Sequence, residues 1–468
     1  MDNTITNKAS HGKLLDYISP EIIIPITMIY FAVIYSLRFS WYLGGAIMLI
    51  MPVIEYAAII INSITKKRKL ILPASYIVIA YFAYITIRHV FSLDILTMGV
   101  SDAVISAFAL TCMQAQKKEE FIRIFYRVCM TFMWISIISG ILSLLTLLIP
   151  ESIKTDTALP EFIRTNIQNK ITARTNNGLS RLIGIYPHPN TTAHYCVYGL
   201  MFGFGTVLSR PEKISNYMFF GMDLILTAII LILTESRASM LSVAVFFILT
   251  TIIYFTYLRK HLNGNSIIID SILMLFIAIA ICMILSFMIF DSVRAKVLEI
   301  LRVPYSNDMT LLDSFSMMIE KFRSASGRDN LRTATIDAWK NNILFGISSS
   351  EIVQLLKPLD SSIRFSNSSH NAYIQILSTT GLIGLALFLV LQISAILSLS
   401  FAIKKIKDRL IKVITIFMMI MIIVAIVDNQ FEVYYYSNIY TAVLVNFYAL
   451  ATGFQAGKII KDEKKCMK

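Results

Sequence analysis

Apolar stretches long enough to cross a bilayer recur along the whole chain with only short polar interruptions, and no other feature narrows the fold so far. A helix needs about 20 apolar residues to span hydrocarbon. Twelve such stretches lie at roughly 19–37, 41–62, 70–87, 95–114, 125–149, 188–208, 215–234, 238–258, 266–290, 371–398, 410–428 and 437–456. The expected fold is an all-α polytopic membrane protein of about 12 transmembrane helices. Residues 1–290 carry spans one to nine, 291–370 form one large loop, and 371–468 hold the last three spans and a basic tail. Only 15% of the 468 residues are charged, against about 25% in an ordinary soluble domain. With no room for a soluble catalytic domain, chemistry falls to the bundle and its loops.

A formal charge of +13 would suit a nucleic-acid partner, but its distribution points elsewhere. With a cytoplasmic N-terminus, the inner segments hold Lys8 and Lys13, the run from Lys66 to Lys69, Lys117, Lys118, Arg123 and Arg127, and then Arg210, Lys213, Arg259 and Lys260. They also hold the cluster from Lys404 to Lys412 and the lysines of the tail, whereas the short outer loops hold Arg38, Arg88 and Arg237. This is the topogenic pattern of a multi-pass protein with both termini inside. The expected partner is the lipid bilayer, and no nucleic acid. The polar N-terminal segment lacks a cleavable signal pattern, so the first apolar stretch is expected to remain as a helix.

Two segments, roughly 150–187 and 291–370, are too long for the charge rule to govern and fall outside. The second carries both charge signs in near balance, as a folded cap would. None of the cysteines, Cys112, Cys129, Cys196, Cys282 and Cys466, lies in a long polar loop, which argues against a disulfide framework or a zinc site.

Within the large loop, SGRDNLRTATIDAWKNNILFGI reads as an amphipathic helix on the membrane surface. Ser326 and Asp329 resemble a capping box, Leu331, Ile336, Trp339 and Ile343 form the apolar stripe, and Gly346 ends it. Arg328 and Arg332 then sit near a helix N-terminus, where they either meet a phosphate or anchor the helix and pair with Asp329 and Asp337. In PHPNTTAH, His188 and His194 are six residues apart, unsuited to two ligands on one helix face. They read as the structural start of the sixth span, with Asn190 in a turn after Pro189, and no metal or other cofactor is expected.

Four motifs in order, RLIGIYPHPNTTAHY, TESRASMLS, SGRDNLRTATIDAWKNNILFGI and HNAYIQILSTTGLIG, resemble the superfamily of O-antigen ligases and O-antigen or capsule polymerases. In the last motif His370, Asn371, Gly381 and Gly384 match the pattern His-Asn, nine residues, Gly, two residues, Gly. The resemblance, over roughly residues 180–390, implies a GT-C-like membrane glycosyltransferase on the outer face of the bacterial cytoplasmic membrane. Such enzymes move a glycan from undecaprenyl diphosphate to an acceptor hydroxyl without a nucleotide sugar. The acceptor is a sugar of the lipid A core in ligases and another lipid-linked repeat in polymerases.

That chemistry must remove a proton from the acceptor and stabilise the departing diphosphate. His370 is the expected base, since histidine titrates near neutral pH; otherwise it is an interfacial residue at the start of the tenth span. Arg237 is the expected diphosphate clamp, because a guanidinium binds phosphate bidentately and a charge beside hydrocarbon usually has a purpose. Its alternative is an ion pair with Glu235 or snorkelling. Arg328 and Arg181 are further diphosphate candidates. Asn371 supports the acceptor or the loop, and Asp428 orients His370 or faces water at a helix end. Ile-, Lys- and Asn-rich composition favours a repeat-unit polymerase, beside which a chain-length regulator is a possible partner. The alternatives are a lipid A core ligase and a transporter or flippase of lipid-linked glycans. Topology reporters fused after Lys260 and after Lys405 should report a cytoplasmic location and one near Pro358 an external one; a cytoplasmic signal at Pro358 would refute the placement.

Overall fold

The computed structural model describes residues 19–36, 46–65, 67–92, 100–115, 117–148, 172–174, 180–186, 188–259, 266–300, 303, 306, 308–323, 328–356, 370–431 and 442–466. Each of the twelve apolar stretches contains a helix: α1 (Pro20–Ser36), α2 (Ala46–Thr65), α3 (Leu72–Ser92), α4 (Val100–Cys112), α5 (Lys118–Leu145), α6 (Pro189–Ser209), α7 (Ile214–Thr234), α8 (Arg237–Ile253) and α9 (Ser266–Ile289), then α14 (Ala372–Lys405), α15 (Arg409–Asp428) and α16 (Ala442–Cys466). Five of them, α5, α7, α8, α14 and α15, are long and apolar enough to cross a membrane by themselves, counted among the described residues. Between α9 and α14 the described residues form four shorter α-helices, α10 (Asp291–Ile300), α11 (Leu311–Arg323), α12 (Arg328–Trp339) and α13 (Ser349–Leu356). A two-stranded antiparallel pair, β1 (Thr172–Arg174) with β2 (Ser180–Leu182), precedes α6.

Helix α6 is the axis of the bundle, with every residue from Pro189 to Ser209 buried. Its small residues explain how neighbours come so close. A Cβ on Gly199 would lie 2.0 Å from that of Ser136 on α5, and one on Gly205 would lie 2.7 Å from the Cys129 sulfur. Phe132 and Phe202 stack across the same seam with centroids 4.3 Å apart. At one end of the bundle charged groups pair between elements, Arg68 with Glu120, Lys118 with Asp408, and Arg123 with Glu21.

Local chemistry starts the short helices. Thr310 and Asp313 form a reciprocal capping box on α11, each backbone N–H donating to the other's side chain at 3.1 Å. The Thr310 bonds hold the Asp313 carboxyl below its ordinary value. Ser348 and Glu351 repeat the device on α13 at 3.1 and 3.0 Å, where the carboxylate also favours the positive helix end. The expected box on α12 involves Ser326, which lies outside the described residues. The stripe of α12 also differs from expectation. Leu331, Thr335 and Ala338 are its buried residues, while Ile336 and Trp339 are half-buried and Ile343 is exposed. A four- then three-residue spacing turns this face onto α13, where Leu331 clusters with Ile352 and Leu356. The sequence-based stripe followed bulk and took in Ile336, one position away from the face the neighbours cover.

Helix α14 is broken at Gly381, whose φ is 69° and ψ −170°. In a continuous helix the Leu382 N–H would donate to the Ser378 carbonyl. Here the segment Ile343–Ile347 enters the break and supplies both missing partners: Leu382 N–H donates to the Ile343 carbonyl at 2.9 Å, and Ile347 N–H donates to Ser378 at 2.7 Å. The Tyr84 hydroxyl donates to the Thr380 carbonyl at 2.6 Å. Arg88 donates to the Phe345 and Gly346 carbonyls at 2.7 and 2.9 Å, tying the segment to α3. A Cβ on Gly381 would lie 2.1 Å from the Leu344 carbonyl oxygen. The glycine therefore admits a loop segment, while Gly384 packs against Thr380 and against Tyr84 of α3.

Two substitutions test this break. Gly381→Ala adds the strain of a positive-φ extended backbone, about 1–3 kcal/mol, to a clash with fixed backbone, so it should cost at least about 2 kcal/mol and lower the melting temperature of the purified protein. Gly221→Ala, in α7 with nothing within 4 Å of the new Cβ, should be neutral or stabilise by up to about 1 kcal/mol. Equal melting temperatures for the two variants would contradict the assignment.

Candidate functional site

The HNA tripeptide at 370–372 starts α14, and each residue is held from a different direction. Asn371 is the N-cap: its Oδ1 accepts from the Ile374 N–H at 3.0 Å, satisfying a donor that a helix start leaves orphaned. Its Nδ2 donates to the Gln430 carbonyl and side-chain oxygen at 3.3 and 3.2 Å. The Ala372 N–H donates to the Asn429 carbonyl at 2.8 Å. Arg332 of α12 donates to the carbonyls of His370 and Gln430 at 3.3 and 3.0 Å. His370 itself is half-buried and has a φ of 51°, a conformation seldom adopted without glycine and costly unless the surroundings enforce it. The carbonyls of 429 and 430, together with Arg332, supply that enforcement. Asn371 thus ties the start of α14 to Gln430, and Arg332 gives donors to backbone carbonyls.

Beside this threshold lies a polar cluster closed off from water. Asp428, the last residue of α15, is 1% exposed and His194 of α6 is 0% exposed. The His194 Nε2–H donates to Asp428 Oδ1 at 2.8 Å, the Ser242 hydroxyl donates to the same oxygen at 2.8 Å, and the Tyr198 hydroxyl donates to Oδ2 at 3.1 Å. The other imidazole nitrogen, Nδ1, lies 2.7 Å from the Ser239 hydroxyl and 2.9 Å from the Asn190 carbonyl. Ser239 reaches Ser236 at 2.9 Å. The expected partnership of Asp428 with His370 is thus replaced by one with His194. His188 is the N-cap of α6, its Nδ1 accepting from the Asn190 N–H at 3.2 Å, and Pro189 is the first helical residue, as expected of a structural start.

Arg237 opens α8, half-buried, straight after the tight turn in which Glu235 takes a left-handed conformation, φ 48°. Its position in the first helical turn puts a guanidinium beside backbone N–H groups that have no partner within the helix, an arrangement favourable to anions. Arg181 is occupied differently: its Nε donates to the Thr234 carbonyl at 2.7 Å and its Nη2 to Asn190 Oδ1 at 3.0 Å. It fastens the end of α7 to the start of α6. Arg328 is the first residue of α12, and its side chain lies outside the described residues. Arg181, Arg237, His370, Asn371 and Asp428 therefore collect at the bundle end opposite the Arg68 and Lys118 ion pairs. Sequence reading missed His194 as a partner of Asp428. The signal available was polar pairs at helical spacing, His194 with Tyr198 and Ser239 with Ser242, along faces that are otherwise apolar.

No curated protein matches the chain. A family model described as O-Antigen ligase matches residues 224–389, from within α7 to the part of α14 just beyond its break. This stretch contains Arg237, Arg328, His370, Asn371, Gly381 and Gly384. It carries the threshold, the helix start at Arg237 and the broken helix in one continuous segment, and over that segment the chain is similar to the O-antigen ligase family.

Proposed function

We propose that the protein polymerises undecaprenyl-diphosphate-linked oligosaccharide repeat units of O-antigen or capsule on the outer face of the bacterial cytoplasmic membrane. The observation that carries this reading is the fixed, strained His370 at the start of a matched, broken α14, at the same bundle end as Arg237. His370 takes the proton of an acceptor hydroxyl. The hydroxyl oxygen attacks the anomeric carbon of the donor sugar, the bond from that carbon to the diphosphate oxygen breaks, and its electron pair leaves with undecaprenyl diphosphate. Arg237 and the N–H groups at the start of α8 stabilise the negative charge on the leaving group. Arg328 provides a second cation at the start of α12. Arg181 supports the site by fixing the Thr234 end of α7 beside the Arg237 turn. Atoms and charge balance without a nucleotide sugar, metal or redox partner.

A ligase passing the glycan to the lipid A core is the second reading. The description of the matched family as O-Antigen ligase favours it, and the same donor chemistry serves both. Composition rich in Ile, Lys and Asn, typical of variable surface-polysaccharide loci, favours the polymerase.

The test is transfer by the purified full chain in nanodiscs, supplied with undecaprenyl-diphosphate-linked repeat units. Polymerase activity yields lipid-linked chains of increasing length and free undecaprenyl diphosphate; product that forms only when lipid A core is added identifies the ligase. His370→Ala and His370→Gln should both lose about 10²–10⁴ in turnover, the range typical of losing an acid–base group. Arg237→Lys should be severely impaired, because a point charge does not reproduce the planar fork. Near-normal turnover by His370→Gln would remove the base assignment, and full activity in Arg237→Lys would remove the clamp.

A further inference from the structure

The buried cluster of His194, Tyr198, Ser239, Ser242 and Asp428 has no part in the chemistry just described, yet it is costly to keep. Taking a carboxylate and an imidazole out of water is favourable only when their hydrogen bonds are well made, and apolar side chains of similar volume usually serve a fold as well. The order serine, histidine, aspartate resembles a hydrolase triad, with 2.7 Å from Ser239 to His194 and 2.8 Å from His194 to Asp428. Nucleophilic catalysis is nevertheless a poor fit, because Ser239 and His194 are 0% exposed and Asp428 1%. A substrate carbon has no approach to that hydroxyl.

What the cluster does have is an unusual position between the two proposed reacting groups. Asp428 immediately precedes Asn429 and Gln430, the residues whose carbonyls hold Ala372, Asn371 and Arg332. On the other side, Ser239 lies two residues after Arg237 and bonds back to Ser236, just before it. His194 joins the two from the fully buried helix α6. A path therefore runs from the Arg237 turn through Ser236, Ser239, His194 and Asp428 to the seat of His370, by hydrogen bonds of 2.9, 2.7 and 2.8 Å as far as Asp428 and then through Asn429, whose carbonyl accepts from the Ala372 N–H at 2.8 Å.

We propose that His194 and Asp428 are a positioning pair that fixes the Arg237 turn of α8 and the His370 threshold of α14 in one register. The proposal rests on the reading of His370 as base and Arg237 as clamp. Three donors on two carboxylate oxygens leave Asp428 one favourable orientation, which defines where α15 ends and so where 429 and 430 present their carbonyls. Apolar packing would hold the same helices together but would resist sliding and rotation less, because it is non-directional. Displacements of about 1 Å at a reacting centre are enough to cost about 10²-fold in rate.

The experiment replaces the polar pair by an apolar one, His194→Phe with Asp428→Leu, in the full chain. A merely structural role predicts retained stability and retained turnover. The positioning role predicts a similar melting temperature, a kcat lower by about 10- to 100-fold and little change in donor KM. Spin labels on Ala238→Cys and Tyr373→Cys, with Cys282 and Cys466 replaced by serine, should show a broadened distance distribution in the apolar variant. A control pair at the other bundle end, Thr256→Cys and Arg409→Cys, should not change. Should the double variant not fold, Ser242→Ala removes a single donor to Asp428 and should lower kcat two- to five-fold, with the same selective broadening to a smaller degree. Wild-type distances and kcat in a folded variant would overturn the proposal. The distance measurement needs no substrate, so broadening in a chain whose wild type transfers no glycan would support the register lock and overturn the function it is proposed to serve.

Discussion

Inside hydrocarbon no water is available to a backbone N–H or C=O, so any interruption of a helix must bring its own hydrogen-bond partners. The break in α14 meets that demand with the segment Ile343–Ile347, which accepts from Leu382 and donates to Ser378. Much of the site follows from this exchange. The portion of α14 before the break is a short helical stub, capped at one end by Asn371 and clamped at the other by the inserted segment, Tyr84 and Arg88. A stub held at both ends keeps His370 in a conformation it would otherwise leave. The large loop is thereby built into the bundle, and α12 reaches the threshold through Arg332.

The cluster around Asp428 applies the same rule to side chains. Its polar atoms are far from water, and they remain there because their partners come from three helices, α6, α8 and α15. Arg181 does related work by bonding the last carbonyl of α7, that of Thr234, and Asn190 at the start of α6.

The bundle was legible in the sequence because its signal is local. Length and hydropathy located the helices, and the stretches at 188–208 and 371–398 begin where Pro189 and Asn371 start α6 and α14, whereas the break at Gly381 falls inside a stretch that reads as one continuous helix. The remainder depended on partners distant in the chain. Asp428 read as a helix-end carboxylate near His370, but its partner His194 lies 234 residues away, beyond any spacing rule. The α12 stripe was read from bulky residues, whereas burial is decided by which face α13 and α14 cover, so Thr335 and Ala338 are inside and Ile343 is exposed. Two capping boxes, Thr310 with Asp313 and Ser348 with Glu351, are local patterns of the same spacing as Ser326 with Asp329. Arg88, which read only as an outer-loop charge, holds the inserted segment at the break.

The central claim is that the end of the bundle holding His370 and Arg237 receives a lipid diphosphate. A cryo-EM map of the full chain with undecaprenyl diphosphate bound would test it most directly. The account predicts phosphate density against the Arg237 guanidinium and the first N–H groups of α8, on the His370 side of the bundle. Phosphates at the opposite end, among Arg68, Lys118 and Arg123, would contradict it.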